Sequence, residues 1–295
     1  MQKTAHKRKK TSAKKPSTHR KKNKKNKRFW KKRHLLLVFL LIGLFSIGFY
    51  YRTILGYYYS SYFRIKKEHS VLKNTPYETM RMERIISEHH DKVFGIDISH
   101  YQRKEDIEWD SMTIAGGAIS IDFVVLRATM GNASTDKHFA DFWMKAQKHG
   151  KICGAYHFYR ADEDPAQQAK NFIATVHLEA DDLPPVLDIE KIPRRRSKEQ
   201  LIADLKKWCN IIENHYGKKP IIYTYYYYYK DFLRGEFEGY PLWLANYNNV
   251  LQPSPTDHWD LWQFSEKGIV YGINTKVDLN VFNGSLQELK KFSNK

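Results

Sequence analysis

The chain has 295 residues, with 50 Lys and Arg against 32 Asp and Glu, a net charge of +18. The excess is segregated: seventeen of the basic residues fall in residues 1–33, which hold no acid, so the remaining chain is close to neutral. This argues against a uniformly basic, nucleic-acid-binding fold, and the two cysteines, Cys153 and Cys209, match no metal-ligand spacing and read as buried thiols.

Residues 1–33 have no apolar run and too little hydrophobic surface to fold, which predicts a disordered basic tail. Residues 35–51 then run for seventeen positions without a charge. As a helix this stretch is about 26 Å long, slightly short for a hydrocarbon core. Arg52 can snorkel, Ile54 and Leu55 extend the apolar run, and aromatics flank both ends. A cleaved leader needs a small-residue site, but bulky aromatics follow Gly48, so residues 34–55 read as an uncleaved transmembrane helix. The preceding cations place the N-terminus in the cytoplasm, near anionic lipid, and residues 52–295 outside, as a single-pass protein of the cytoplasmic (inner) membrane. No nucleic-acid partner is expected. Residues 56–92 read as a stalk, helical around 77–90, or as a segment packed on the domain; the sequence leaves both open.

From residue 93 onward, short apolar runs alternate with amphipathic stretches. Strands are predicted at 94–98, 123–128, 152–158, 185–190, 220–223, 242–246, 259–264 and 277–279, and helices at 137–149, 164–178 and 197–216, with a weaker one from Tyr226. The alternation argues for βαβ units and a parallel sheet. The last three strands follow one another too closely for crossover helices. The predicted α/β fold over 93–295 is therefore an incomplete, TIM-like barrel.

Barrel active sites gather at the C-terminal ends of strands. The strand FGIDIS contains Asp97, PPVLDIE ends at Asp188 and Glu190, and TKVDLN contains Asp278, so four carboxylates are expected on one rim. Asp188 and Glu190 are two apart on a strand, facing one side with Cα atoms about 6.6 Å apart. Such a pair repels and splits its proton affinities, leaving a proton donor beside a carboxylate, which is what glycosidic cleavage needs. An acid pair satisfied by Arg127 or a helix N-terminus, or a hard-cation site, uses the same residues. Tyr156, Tyr223, Trp243, Tyr247 and Trp262 belong to the intervening strands, gather at the same strand ends as the acids and suit the apolar faces of sugars. His157 reads as a satisfied histidine near the site. The run of tyrosines at 225–229 reads as a helix start or surface segment, with a place at the lip of the cleft as the alternative. There is no metal-ligand motif, phosphate-binding glycine loop or nucleophile elbow, so no metal or cofactor is expected.

The stretches FGIDISHYQ (94–102), FVVLRATMG (123–131), GAYHFYR (154–160), LPPVLDIE (183–190), PIIYT (220–224), PLWLANY (241–247), DLWQF (260–264) and VDLNVF (277–282) resemble the glycoside hydrolase family 25 lysozymes, N-acetylmuramidases of the Chalaropsis type. The resemblance implies a (β/α)5β3 barrel that hydrolyses the β-1,4 bond between N-acetylmuramic acid and N-acetylglucosamine in peptidoglycan. It implies Glu190 as general acid and Asp188 as an ionised carboxylate that stabilises positive charge or positions the substrate's acetamido group. Asp97 and Asp278 match the other two site acids, and Tyr156 and Tyr223 line the sugar subsite. Trp243, Asn246, Tyr247, Trp262 and Arg127 complete the candidate binding set. A non-catalytic, membrane-anchored glycan-binding or scaffold protein of the envelope is the rival reading, and the complete acid set argues against it.

Overall fold

The computed structural model describes residues 72–294. The basic tail, the apolar segment and the first part of the expected stalk, 56–71, lie outside the described residues. A helix, α1 (Pro76–Glu88), precedes the barrel. Eight strands form the barrel: β1 (Val93–Ile98), β2 (Phe123–Met130), β3 (Ile152–Phe158), β4 (Val186–Asp188), β5 (Ile221–Tyr225), β6 (Leu242–Ala245), β7 (Leu261–Gly268) and β8 (Val277–Phe282). They pair in chain order, and β8 pairs with β1 to close the sheet. β1 to β7 are mutually parallel, whereas β8 is antiparallel to both of its neighbours.

The reversal of β8 follows from chain length. Only residues 269–276 separate it from β7, and a parallel return needs a crossover of about a dozen residues or more. Asp278 therefore stands at the start of its strand. Because that strand runs the opposite way, its start reaches the rim where the parallel strands end.

Three full crossover helices are present: α2 (Phe139–Lys148), α3 (Pro165–Thr175) and α4 (Lys198–Tyr216). The other two crossovers of the expected five carry no full-length helix. Between β1 and β2 the chain makes three 3-10 turns, the third of which, Ala115–Gly117, joins a two-residue antiparallel pair, Thr113–Ile114 with Ile119–Ser120, and uses Gly116 and Gly117 at positive φ. After β5 comes a helical turn, Tyr226–Tyr228, continuing as a π-helical segment, Tyr229–Leu233. The long α4 has defined ends: Ser197 and Gln200 form a capping box, and Gly217 ends the helix in the left-handed conformation.

Strand alternation divides the core into two layers. Outward residues such as Ile96, Val124, Leu126 and Leu187 pack beneath the helices with Phe172 and Trp208. Inward residues Val93, Phe123, Val125, Val186, Ile221, Leu261 and Phe282 fill the barrel. Its N-terminal mouth is plugged by Leu289 and Phe292 of a C-terminal helix, α5 (Leu286–Ser293), which is absent from the predicted elements. Cys153 and Cys209 are buried and unpaired.

The described part of the segment read as a stalk, residues 72–92, forms a capped helix that packs on the barrel. Thr75 and Glu78 form a capping box around Pro76 at the head of α1, the N-terminal helix. It packs against β7, where the barrel has no crossover helix to cover it. Met82 and Ile85 are buried, and the guanidinium of Arg81 donates to the Phe264 carbonyl at 2.8 Å. His89 stacks edge-on against Trp259 and Trp262. Apolar residues at helical spacing had a bare strand face to cover, so this part of the chain belongs to the folded domain.

Gly95 faces inward on β1, and a Cβ there would lie 2.4 Å from ring atoms of Phe123. Gly95→Ala is expected to destabilise the fold by about 1–3 kcal/mol through overpacking. Adding Phe123→Leu should recover part of that loss. Thermal unfolding of the two single variants and the double variant measures the coupling, and strictly additive losses would refute the contact.

Candidate active site

At the C-terminal rim the barrel opens into a cavity of about 310 Å³. Asp97, Asp188, Glu190 and Asp278 all line it, with Arg127, Tyr156, Tyr223, Trp243 and Tyr247. The strand period brings Val186, Asp188 and Glu190 to this one side. Leu187 and Ile189 point into the outer core instead.

Asp97 and Asp278 face each other across the antiparallel β1–β8 pair. Asp97 Oδ2 accepts from the Gln263 amide at 2.7 Å and from the Asn280 amide at 2.7 Å, and its carboxyl is also hydrogen-bonded to Asp278. The orientation of both amides is fixed from behind. Gln263 Oε1 accepts from the Tyr223 hydroxyl at 2.8 Å and from the Tyr247 hydroxyl, so Nε2 has to face Asp97. Asn280 Oδ1 accepts from the Trp243 indole at 3.0 Å. Two N–H donors on one oxygen favour the charged form of Asp97, so the proton of the pair belongs on Asp278. Burial, followed by the charge of Asp97, pushes Asp278 up to about 9. Burial also raises Asp97, while the two amides pull it back.

Asp188 and Glu190 differ in depth. Asp188 is buried, and its Oδ1 has no hydrogen-bond partner. Burial, then Glu190 and Asp97, push it well above the carboxylate range, against the pull of Arg127 and Lys191. Glu190 is half-buried, with no hydrogen bond to its carboxyl among the described residues, and is raised by burial while Lys191 lowers it. Burial therefore weighs most on Asp188, the acid expected from sequence to stay ionised.

Arg127 is held in place by Asp136, to which it donates at 3.0 and 3.1 Å, and it stacks over Tyr101. It reaches the cleft as a positioned cation and does not pair with Asp188. His157 points away from the cavity. It hydrogen-bonds Thr129 and Gln168, stacks on Trp208, and is lowered to about 4 by burial, as befits a neutral core histidine.

Two expected binding residues lie elsewhere. Trp262 is fully buried on the outer face of β7, its indole donating to the Asn246 carbonyl at 3.0 Å. Its neighbours Leu261 and Gln263 take the inward positions, and period two leaves Trp262 outside. The Asn246 side chain donates to Pro253 and accepts from Asn248, so it shapes the β6–β7 loop and does not line the cleft. The residues expected from sequence do not include Gln263 and Asn280, nor Tyr101 and Glu266 on the cleft wall, whereas Tyr225 stands there in line with the cleft-lip alternative for the tyrosine run. Polar residues inside the apolar strands LWQF and DLNVF were the available signal. Among the described residues, no group of three or more His, Cys, Asp or Glu side chains is arranged to hold a metal ion.

Residues 96–273 match the model of glycosyl hydrolases family 25. The chain is 34% identical over 253 residues to the uncharacterized protein YegX of Escherichia coli, covering 85% of this chain and 91% of that one. Among solved structures, a family 25 glycosyl hydrolase from Bacillus anthracis superposes with a TM-score of 0.62 at 29% identity, covering 69% of this chain and 94% of the other. The bacterial lysozyme from Streptomyces coelicolor gives 0.61 at 30% identity, covering 69% and 97%.

The raised Asp278 has a thermodynamic signature. In the unfolded chain this acid loses its proton near its ordinary value of 3.8, but in the fold it keeps it to about 9. Between these values the native state binds the extra proton, so stability falls as pH rises across that window. Asp278→Asn keeps a donor for Asp97 and removes the titration. The variant is expected to gain melting temperature relative to the parent progressively from about pH 4 to pH 9, with each 1 kcal/mol appearing as roughly 2–4 °C. A difference independent of pH would show that Asp278 does not hold this proton.

Proposed function

Since the chain belongs to glycosyl hydrolase family 25 and is a glycoside hydrolase, we propose that it is a muramidase, cleaving the β-1,4 bond between N-acetylmuramic acid and N-acetylglucosamine in peptidoglycan. One observation carries the reading: a half-buried, unpartnered Glu190 shares a cavity with a buried Asp188 whose Oδ1 has no donor. A buried acceptor without a partner is costly, and a substrate N–H would satisfy it.

Glu190 would act as general acid, giving its proton to the leaving glycosidic oxygen. Its raised proton affinity suits that task near neutral pH. As the bond breaks, the carbonyl oxygen of the acetamido group attacks the anomeric carbon from the opposite face, and Asp188 accepts a hydrogen bond from the acetamido N–H. That bond, with the positive charge developing beside it, draws Asp188 to its ionised form. Glu190, now deprotonated, takes a proton from the water that opens the intermediate, giving a new reducing end with retained configuration. The Asp97–Asp278 pair adds one fixed negative charge beneath the sugar. Tyr156, Tyr223, Trp243 and Tyr247 form apolar and hydrogen-bonding walls.

The anchor belongs to the same proposal. Residues 34–55 hold the enzyme at the outer side of the cytoplasmic membrane, with the basic tail inside, and the support is the segregation of charge and apolar residues in the sequence.

The protein should release N-acetylmuramic acid reducing ends from purified peptidoglycan, and Glu190→Gln should lower the rate about 10²–10⁴-fold. Equal rates in the two would remove Glu190 from its role. Deleting residues 35–51 should move the protein from the membrane fraction to the soluble fraction, and continued sedimentation with membranes would exclude that segment as the anchor.

A further inference from the structure

The N-terminal helix precedes the stretch that matches the family, residues 96–273, yet it reaches the rim of the cleft. Its first turn is pinned to the end of β7. Lys267 donates to Glu78 at 2.8 Å, and the Asn74 amide donates to the Lys267 carbonyl at 2.9 Å. Between this turn and the strand lies a second hollow of about 220 Å³, walled by Tyr77, Glu78 and Arg81 on the helix side and by Tyr247, Ser265 and Glu266 on the barrel side. Tyr247 and Glu266 also line the catalytic cavity. The two hollows share the wall of Tyr247 and Glu266, which sets the second one directly beside the catalytic cavity.

Most polar groups of this second hollow are already engaged. Glu78 is occupied by the capping box and by Lys267, and Arg81 by the Phe264 carbonyl. Two groups remain open. The Tyr77 ring, in the first turn of the helix, is 55% exposed. Glu266 is exposed and makes no hydrogen bond or ion pair among the described residues. An open aromatic face beside a free carboxylate suits a pyranose ring, apolar on its faces and rich in O–H and N–H donors at its edge.

We propose that the N-terminal helix builds an additional sugar subsite, in which a further residue of the same glycan strand stacks on Tyr77 and donates a hydroxyl or acetamido hydrogen bond to Glu266. The inference rests on the cleft being a glycan cleft. It makes the enzyme a reader of chain length, because only a strand long enough to leave the catalytic cavity past Tyr247 gains the extra contact.

The test measures binding without turnover, using the full chain carrying Glu190→Gln and oligosaccharides of alternating N-acetylglucosamine and N-acetylmuramic acid with two, four and six sugars. Affinity should rise with length, by about three- to tenfold for the last step if one aromatic stacking contact is gained. Tyr77→Ala should bring the longer oligosaccharide down to the affinity of the shorter, whereas Tyr77→Phe, which keeps the ring, should retain the gain. Glu266→Ala reports on the same subsite from the barrel side and serves if Tyr77→Ala lowers the melting temperature. Affinity independent of length, or a gain that survives both Tyr77→Ala and Glu266→Ala, would overturn the subsite. Because binding is read separately, a wild-type protein that bound by length but released no reducing ends would sink the muramidase reading and leave the subsite standing.

Discussion

The antiparallel pairing of β8 with β1 is the constraint on which the site depends. A parallel sheet of seven strands leaves two open edges, each with a row of unpaired backbone groups. β8 closes both, and its register sets Asp97 opposite Asp278. Asn280, two residues further along the same strand, then faces inward beside Asp97. Reversing the strand brings an acid from the beginning of β8 to the rim where Asp188 and Glu190 arrive from the end of the β4 segment.

Four carboxylates in one cavity oppose folding, and the surrounding groups moderate that opposition unequally. Asp97 has two amides aimed at it, each fixed from behind by an aromatic donor: Tyr223 and Tyr247 on Gln263, and Trp243 on Asn280. These aromatics therefore do more than offer sugar-facing surface. They set the amide orientations that fix where the charge of the Asp97–Asp278 pair resides. Asp188 has no such support, and its unpartnered oxygen is the kind of local cost that proteins retain at functional sites. Around the site the scaffold is conventional, with His157, Gln168 and Thr129 satisfying one another in the outer core away from the chemistry.

The N-terminal helix answers a different physical need. The late strands lack crossover helices, so the outer face of β7, with Trp262 and Phe264, would lie open to water. Met82, Ile85 and His89 cover it, and Arg81 satisfies the Phe264 carbonyl. Covering that face also brings the first turn of the helix to the rim. One packing solution thus both completes the core and sets the first turn of the helix beside the catalytic cavity.

Much of this is legible in the sequence because it is periodic. Alternating apolar runs locate all eight strands, and the i, i+2 spacing alone puts Asp188 and Glu190 on one side. The short spacing of the last strands predicts the missing helices. Other features are set by contacts between distant segments, which local pattern does not encode. Trp243 and Trp262 look alike on neighbouring strands, but the closed register pairs Trp243 with Leu261 on the inside and leaves Trp262 outside. Gln263 and Asn280 stand in sequence as polar interruptions of apolar strands, and only closure shows that both are aimed at Asp97. The segment 76–88 carries a capping box and apolar helical spacing, enough to specify a helix but not what it covers. Residue period and chain length specify the eight barrel strands, the three full crossover helices and the acids, but not the plug helix α5. The tertiary structure alone decided which side chains share the cavity, because that depends on how the last strand closes the sheet.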